Sequence, residues 1–317
     1  VTTTAAPVDP SGRIVVSFSE LDAFKQCPHK HDLSYVQRWT TSKDETTAAG
    51  RGTLWHKLMD AHYTAIKRRE VPRLAVEQEL ARFRSLGKDS DTCDLLAWMY
   101  DGYVEMWGND DEWQVLRVEH KVIVPLRYAD GELSRFDLKM IVDLVVRSYI
   151  NGKVWLVDHK SHAYLPKDRD LELDDQFGLY TWGLRQLGHS VFGSIYNTAR
   201  TQRNKGDKPE ELAKWESALA EGKTKAKRPE PQPLDARFDR FLMSRTDREL
   251  DTIEQDALAT AETMYGPGNR AERHTNTDTC KWRCDYTEAC LMGRKTSPER
   301  ELVFLKDLGF RQDFRRH

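Results

Sequence analysis

Apolar residues change their spacing along this chain, and the changes mark out its elements. A polar start, Ser17 or Ser19 followed by Glu20 and Asp22, reads as the N-terminal cap of a short helix that Pro28 interrupts. After a polar loop over 43–49, the segments 51–67, 72–84 and 92–107 read as helices. The last carries a buried stripe at residues 95, 96, 99, 103, 106 and 107. From Trp113 the residues become β-branched and aromatic. The runs 113–126, 133–148 and VWLVDHK (154–160) read as strands, the last apolar on both faces as in a covered central strand. A helix over 171–187 and a strand over 191–198 follow.

That order describes three meandering strands, a helix and a further strand inside an α/β core. We expect a flexible arm over 1–16, a helical region over 17–112, the core over 113–199, and a charged, partly helical insertion over 200–235. The remainder, 236–317, should hold an edge strand at 238–243, a helix at 248–264 and a cysteine-rich segment. No internal repeat is visible.

The 317 residues are enough to bury a full core, and 39% hydrophobic with 32% charged residues describes a soluble protein. No run approaches the ~18 apolar residues of a membrane span. The first residues have no apolar signal region, and a start at Val1 rather than Met points to a processed or trimmed chain. The net charge of −2 does not advertise nucleic-acid binding, yet a basic groove beside an acidic site would average to the same value.

The sharpest chemistry lies in a hairpin. Asp143 closes KMIVD, Asp158 opens Asp-His-Lys, and Asn151-Gly152 between them reads as a two-residue turn. If residues 150 and 153 flank that turn, Lys160 lies opposite Asp143 and Asp158 diagonal to it, all on one face. Two carboxylates so placed can share a hard cation, and a lysine beside them can orient water or neutralise charge on a phosphate. The plainer alternative is a surface ion pair worth at most about 1 kcal/mol. Downstream, Gln176 and Tyr180 share a helix face at i,i+4 spacing, offering an amide and a phenol behind Asp174 and Asp175. His56, with Arg51 and Gly52 before it, is the candidate third ligand. Glu119 reads equally as a further acid near the metal or as a solvated strand residue.

Five cysteines stand at 27, 93, 280, 284 and 290. Cys280, Cys284 and Cys290 offer three thiolates, one short of a tetrahedral site, so Cys27 or Cys93 must complete it. A zinc knuckle would favour paired C-x2-C units or a nearby histidine, and His274 is available. Unliganded thiols are the other alternative. Cys93 sits on the helical stripe and reads as a small buried hydrophobe.

Together these residues resemble the PD-(D/E)XK nuclease superfamily, within it the RecB-type exonuclease branch that includes Cas4 and the AddB nuclease domain. The family's histidine falls on His56, its aspartate on Asp143, its acid-x-lysine on Asp158-His159-Lys160 and its Gln-x-x-x-Tyr on Gln176 to Tyr180. The Cys27-Pro28 opening matches too, so the likeness covers about 17–198 and resumes at 278–292. Three departures stand out: Met140 where the family often has glycine, Asp158 where glutamate is commoner, and x3 rather than x2 between Cys280 and Cys284.

The resemblance implies a mixed central sheet flanked by helices, a restriction-endonuclease-like core whose N- and C-terminal segments a metal cluster joins. It implies a Mg²⁺- or Mn²⁺-dependent deoxyribonuclease acting from DNA ends, in recombination, repair or phage DNA processing. Asp143, Asp158, His56 and the His159 carbonyl would bind the metal, Lys160 would serve the water, and Gln176 and Tyr180 would position the strand. Tyr35, Trp39, Trp55 and Trp182 would stack on unpaired bases of a single-stranded end. Cys27, Cys280, Cys284 and Cys290 would hold a four-iron–four-sulfur (4Fe-4S) cluster. Such a chain would work in the cytoplasm of a bacterium or a phage-infected host, with recombination or CRISPR-associated partners. A non-catalytic DNA-binding accessory protein of the same fold is the alternative.

Overall fold

The computed structural model describes residues 12–41, 46–223, 227–267, 269 and 271–313. Residues 1–11 of the expected arm and 224–226 of the insertion lie outside them. The arm is not loose throughout: Ile14–Ser17 form strand β1, and Ser17 then caps helix α1 (Phe18–Gln26) by accepting from the Glu20 N–H at 3.3 Å. A short helix α2 (Pro28–His31) leads to β2 (Trp39–Thr40), and three longer helices follow: α3 (Ala48–Arg68), α4 (Pro72–Ser85) and α5 (Ser90–Trp107).

The sheet strands are β3 (Trp113–Arg127), β4 (Leu133–Ser148), β5 (Val154–His162), β6 (Val191–Arg200) and, at the edge, β7 (Phe238–Met243). The single helix expected over 171–187 is two, α6 (Asp168–Glu172) and α7 (Asp175–Gln186), because Asp174 turns aside to cap α7. Within the insertion, α8 (Pro209–Ala220) buries no residue. Helices α9 (Asp247–Tyr265), α10 (Thr277–Arg283), α11 (Thr287–Lys295) and α12 (Pro298–Asp307) precede β8 (Arg311–Gln312).

The result is an α/β fold with a mixed central sheet flanked by helices. One face packs on α1, α7 and α9 through Leu21, Phe177, Trp182 and Leu258. The other packs on α3, α4 and α5 through Leu58, Tyr63, Phe83 and Leu96. Helix α7 is the crossover that parallel neighbours β5 and β6 require.

Strand β4 organises the site. One edge pairs with β3 along most of its length. The other edge pairs first with β1, over Phe136–Lys139, and then with β5, over Leu144–Arg147. Among the described residues, Met140–Asp143 has no strand partner on that second edge. The pleat also slips there: Met140, Val142 and Val145 face one core while Leu144 and Val146 face the other. Across from Asp143 in the β3 register stands Glu119, whose φ of +46° is rare for a residue with a Cβ.

A third packing unit joins the ends of the chain. Leu33 and Trp39 pack with Tyr286, Ala289, Leu305 and Phe310, β2 pairs with β8, and the Tyr286 hydroxyl donates to the Trp39 carbonyl at 2.6 Å.

Candidate active site and cysteine clasp

The hairpin closes differently from the sequence expectation. Ser148 and Lys153 close a four-residue loop, where residues 150 and 153 were expected to flank two. The register therefore moves by two residues. Leu144 pairs with Val157, so the next position sets Asp143 against Asp158, and Lys160 rather than Asp158 is the diagonal neighbour. A shift of two keeps Asp158 and Lys160 on the Leu156 face, whereas Asp143 stands at the slip in the pleat. Backbone pairing stops at Leu144 and Val157. Beyond it the His159 N–H donates to Asp143 Oδ2 at 2.9 Å, so a side chain takes the place of the next ladder bond.

His56 reaches this fork from α3, its Nδ1 3.0 Å from the same Asp143 oxygen. Lys160 Nζ lies 2.6 Å from Asp158 Oδ2 and 3.5 Å from the Gln176 amide oxygen. Tyr180 stands behind Gln176, with its side chain hydrogen-bonded to that amide. Five of the residues singled out from sequence (His56, Asp143, Asp158, Lys160 and Gln176) thus meet within one connected set of contacts. His159 divides: its backbone faces Asp143 while its ring is buried on the opposite side of the sheet.

The electrostatics suit a cation. Burial pushes the Asp158 carboxyl up to about 6, Asp143 adds to the rise, and Lys160 and His56 oppose it. Burial is the largest influence on Asp143 and disfavours its charge, but the hydrogen bond and charge of His56, together with His159, outweigh it and hold the group below the usual aspartate value. His56 moves the other way: burial is the largest influence and lowers its value, but the hydrogen bond and charge of Asp143 together with the charge of Asp158 outweigh it, and the net shift is upward. Burial disfavours the charge on Lys160, but Asp158, with Asp143, more than offsets it and the ammonium pKa is raised. Glu119 is raised by burial, then by Asp143 and Asp60, so it belongs to the same negative patch.

The stacking expectation is corrected for the three tryptophans. Trp39, Trp55 and Trp182 are buried core residues, because their stripes face the sheet and the clasp, and Tyr35 stacks on His31 with ring centroids 5.6 Å apart. The exposed aromatics are others, notably Tyr164 just beyond β5 and Trp282 between Cys280 and Cys284.

Cys27, Cys280, Cys284 and Cys290 all line one cavity of about 460 Å³, with Lys30, Arg273 and Arg294 on its wall. All four thiols are free and partly buried, and Cys93 is buried apart from them in the α5 stripe. Four cysteine sulfurs on one cavity with nearby cations are a donor set of the kind that holds a metal once the thiols are deprotonated. A second ligand set overlaps it: His29, Cys290 and Glu301 offer donor atoms within 4.8 Å of one another. Glu301 is buried, accepting from Arg273 at 2.5 Å and lying 2.7 Å from His29 Nε2. Sequence reasoning named His274 here and missed both. Cys27-x-His29 was a usable signal, whereas Glu301 has no local motif.

Comparison with known proteins gives the family. The family model for the PD-(D/E)XK nuclease superfamily matches residues 15–291. No curated protein matches the chain. Among solved structures, a protein from Eubacterium rectale provisionally described as an exonuclease aligns over 84% of this chain and 86% of its own, with 16% identity and a TM-score of 0.45. SSO0001 aligns over 89% and 96%, with 15% identity and a TM-score of 0.31.

Proposed function

Because the chain belongs to the PD-(D/E)XK nuclease superfamily, we propose that it is a metal-dependent DNA exonuclease of the RecB-type branch. The observation that carries this reading is the fork in the sheet, where His56, Asp143, Asp158 and Lys160 meet at hydrogen-bond distances. Asp143, Asp158, His56 and the His159 carbonyl are the residues that would hold Mg²⁺ or Mn²⁺, with Glu119 as an acid beside them. The donor set, carboxylates, a carbonyl and one imidazole, suits such hard cations. When bound, the cation supplies Lewis-acid activation of the phosphate and of water.

The protein's own groups do the rest. Lys160 carries a fixed positive charge beside the carboxylates and presents N–H donors to the attacking water or the phosphate. Gln176 accepts from that ammonium and is backed by Tyr180, so α7 aims the lysine as well as bordering the substrate strand. Burial of Asp158 keeps water from screening the pair.

In this reading Cys27, Cys280, Cys284 and Cys290 hold a 4Fe-4S cluster whose role is to fasten the chain ends and shape the DNA path. Lys30, Arg273 and Arg294 offset its negative charge. The second reading is a single metal ion on His29, Cys290 and Glu301, which their proximity favours. Anaerobic purification with iron, sulfide and zinc analysis separates them: equal iron and sulfide supports the cluster, one zinc without sulfide the triad. Incubating end-labelled DNA with Mn²⁺ tests the reaction itself. Stepwise shortening supports the exonuclease, and DNA retention without degradation supports the accessory-protein alternative. Action in recombination, repair or phage DNA processing, in bacterial cytoplasm, follows from the branch assignment and stands or falls with it.

A further inference from the structure

A buried polar network lies behind the reaction strand, on the side of the sheet that the proposed chemistry does not use. Its anchor is Arg240 of β7, paired bidentately with Asp110 at 2.6 and 2.9 Å and held between the rings of Trp107 and Trp113, 4.1 and 4.2 Å away. Arg240 Nε donates to Asn197 Oδ1 at 3.3 Å. Guanidinium groups cannot accept, so this contact fixes the Asn197 amide with its oxygen toward Arg240. The amide nitrogen then has two hydrogens to give: one goes to the Tyr103 hydroxyl at 2.9 Å and the other to His159 Nδ1 at 2.8 Å.

Acceptance at Nδ1 puts the His159 proton on Nε2, which is buried and has no hydrogen-bond partner. Tyr63 stacks on the ring with centroids 5.2 Å apart. His159 is therefore gripped by its side chain on one side of the sheet while its N–H holds Asp143 Oδ2 on the other. Among the described residues Oδ2 receives both donors, His159 N–H and His56, and Oδ1 receives none. One line of contacts runs from a buried ion pair to the carboxylate that faces the fork.

We infer that Asn197, acting through the His159 ring and backbone, is a positioning residue that sets the Asp143 carboxylate for its divalent cation. This rests on the metal-site reading above. Asn197 pairs with His159 in the parallel ladder, so its side chain needs no induced movement to act. Groups that orient metal ligands from behind commonly change affinity by 10- to 100-fold when removed. The variant Asn197→Leu keeps the branched shape of the side chain and deletes both donors. It should weaken Mn²⁺ binding by ~10–100-fold, measured calorimetrically on the intact protein without DNA.

Loss of stability alone would not do this, and Leu258→Ala in the α9 core serves as the comparison. That variant should lower the unfolding midpoint while Mn²⁺ affinity of the folded protein stays put. Nitrogen-15 spectra of the imidazoles give a second readout: wild type should show His159 as the Nε2–H tautomer, and Asn197→Leu should lose that preference. Unchanged Mn²⁺ affinity in Asn197→Leu, beside a wild type that binds, overturns the inference and leaves the nuclease reading intact. A wild type that fails to bind Mn²⁺ overturns both.

Discussion

Proton release on metal binding is the prediction most tightly tied to the geometry. Without a cation, protons stabilise the buried acids: Asp158 titrates at about 6, and His56 above its ordinary 6.5 because it sits 3.0 Å from Asp143. Both folded values lie above the unfolded ones. The stability these groups contribute to the metal-free protein is therefore full below 3.8 for Asp158 and below 6.5 for His56. It is lost as pH rises through the raised folded values. Ligation requires the deprotonated forms, so metal affinity must run the opposite way. At pH 5, one unit below its pKa, Asp158 alone holds its proton about tenfold, or ~1.4 kcal/mol, against the cation. His56 adds about another tenfold for each unit below its own value. Mn²⁺ titrations of the DNA-free protein at pH 5 and pH 8, in buffers of different ionisation enthalpy, count the protons directly. We expect more protons released at pH 5 than at pH 8, and at least ~10-fold tighter binding at pH 8. PH-independent affinity with no proton release would refute the assignment of Asp158 and His56 as ligands.

Other consequences are simpler to read. Glu119→Gly should relieve the left-handed backbone at φ +46° and raise metal-free stability by about 1 kcal/mol, while weakening Mn²⁺ binding; a loss of stability would mean the backbone is not strained. Cys284→Ser should abolish the visible absorption of an anaerobically purified protein and lower its unfolding temperature. Retained absorption would remove Cys284 from the proposed ligand set. Gly193→Ala places a Cβ 2.3 Å from the Met243 carbonyl, which is backbone and cannot swing aside, so β7 should loosen and the unfolding midpoint fall measurably.

Much of this was readable from sequence because local rules dominate there. Strand and helix periods located β3 to β6 and α3 to α5, and of the two cap candidates, Ser17 and Ser19, the first caps α1. Asp143, Asp158 and Lys160 were legible as unusual polar endings of apolar strands. The details that failed depend on distant partners. The Asn-Gly pair suggested a two-residue turn, but Tyr149 donates its N–H to Glu112 and joins the loop instead. The slip at Asp143 arises from β1 and β5 sharing one edge of β4, which no local pattern encodes. Trp39, Trp55 and Trp182 looked available for stacking until the core and clasp enclosed them. The Asn197–His159 contact was invisible because Asn197 carries no motif and its other partners, Tyr103 and Arg240, come from two distant parts of the chain.

Digestion of 5′- and 3′-end-labelled DNA by wild type, Asp143→Ala and Lys160→Ala, each with matched circular dichroism, tests the account most directly. Wild type should shorten DNA with Mn²⁺ and not with chelator, and both variants should be folded yet inactive. Cleavage persisting in both folded variants would place the chemistry somewhere other than the fork between β4 and β5.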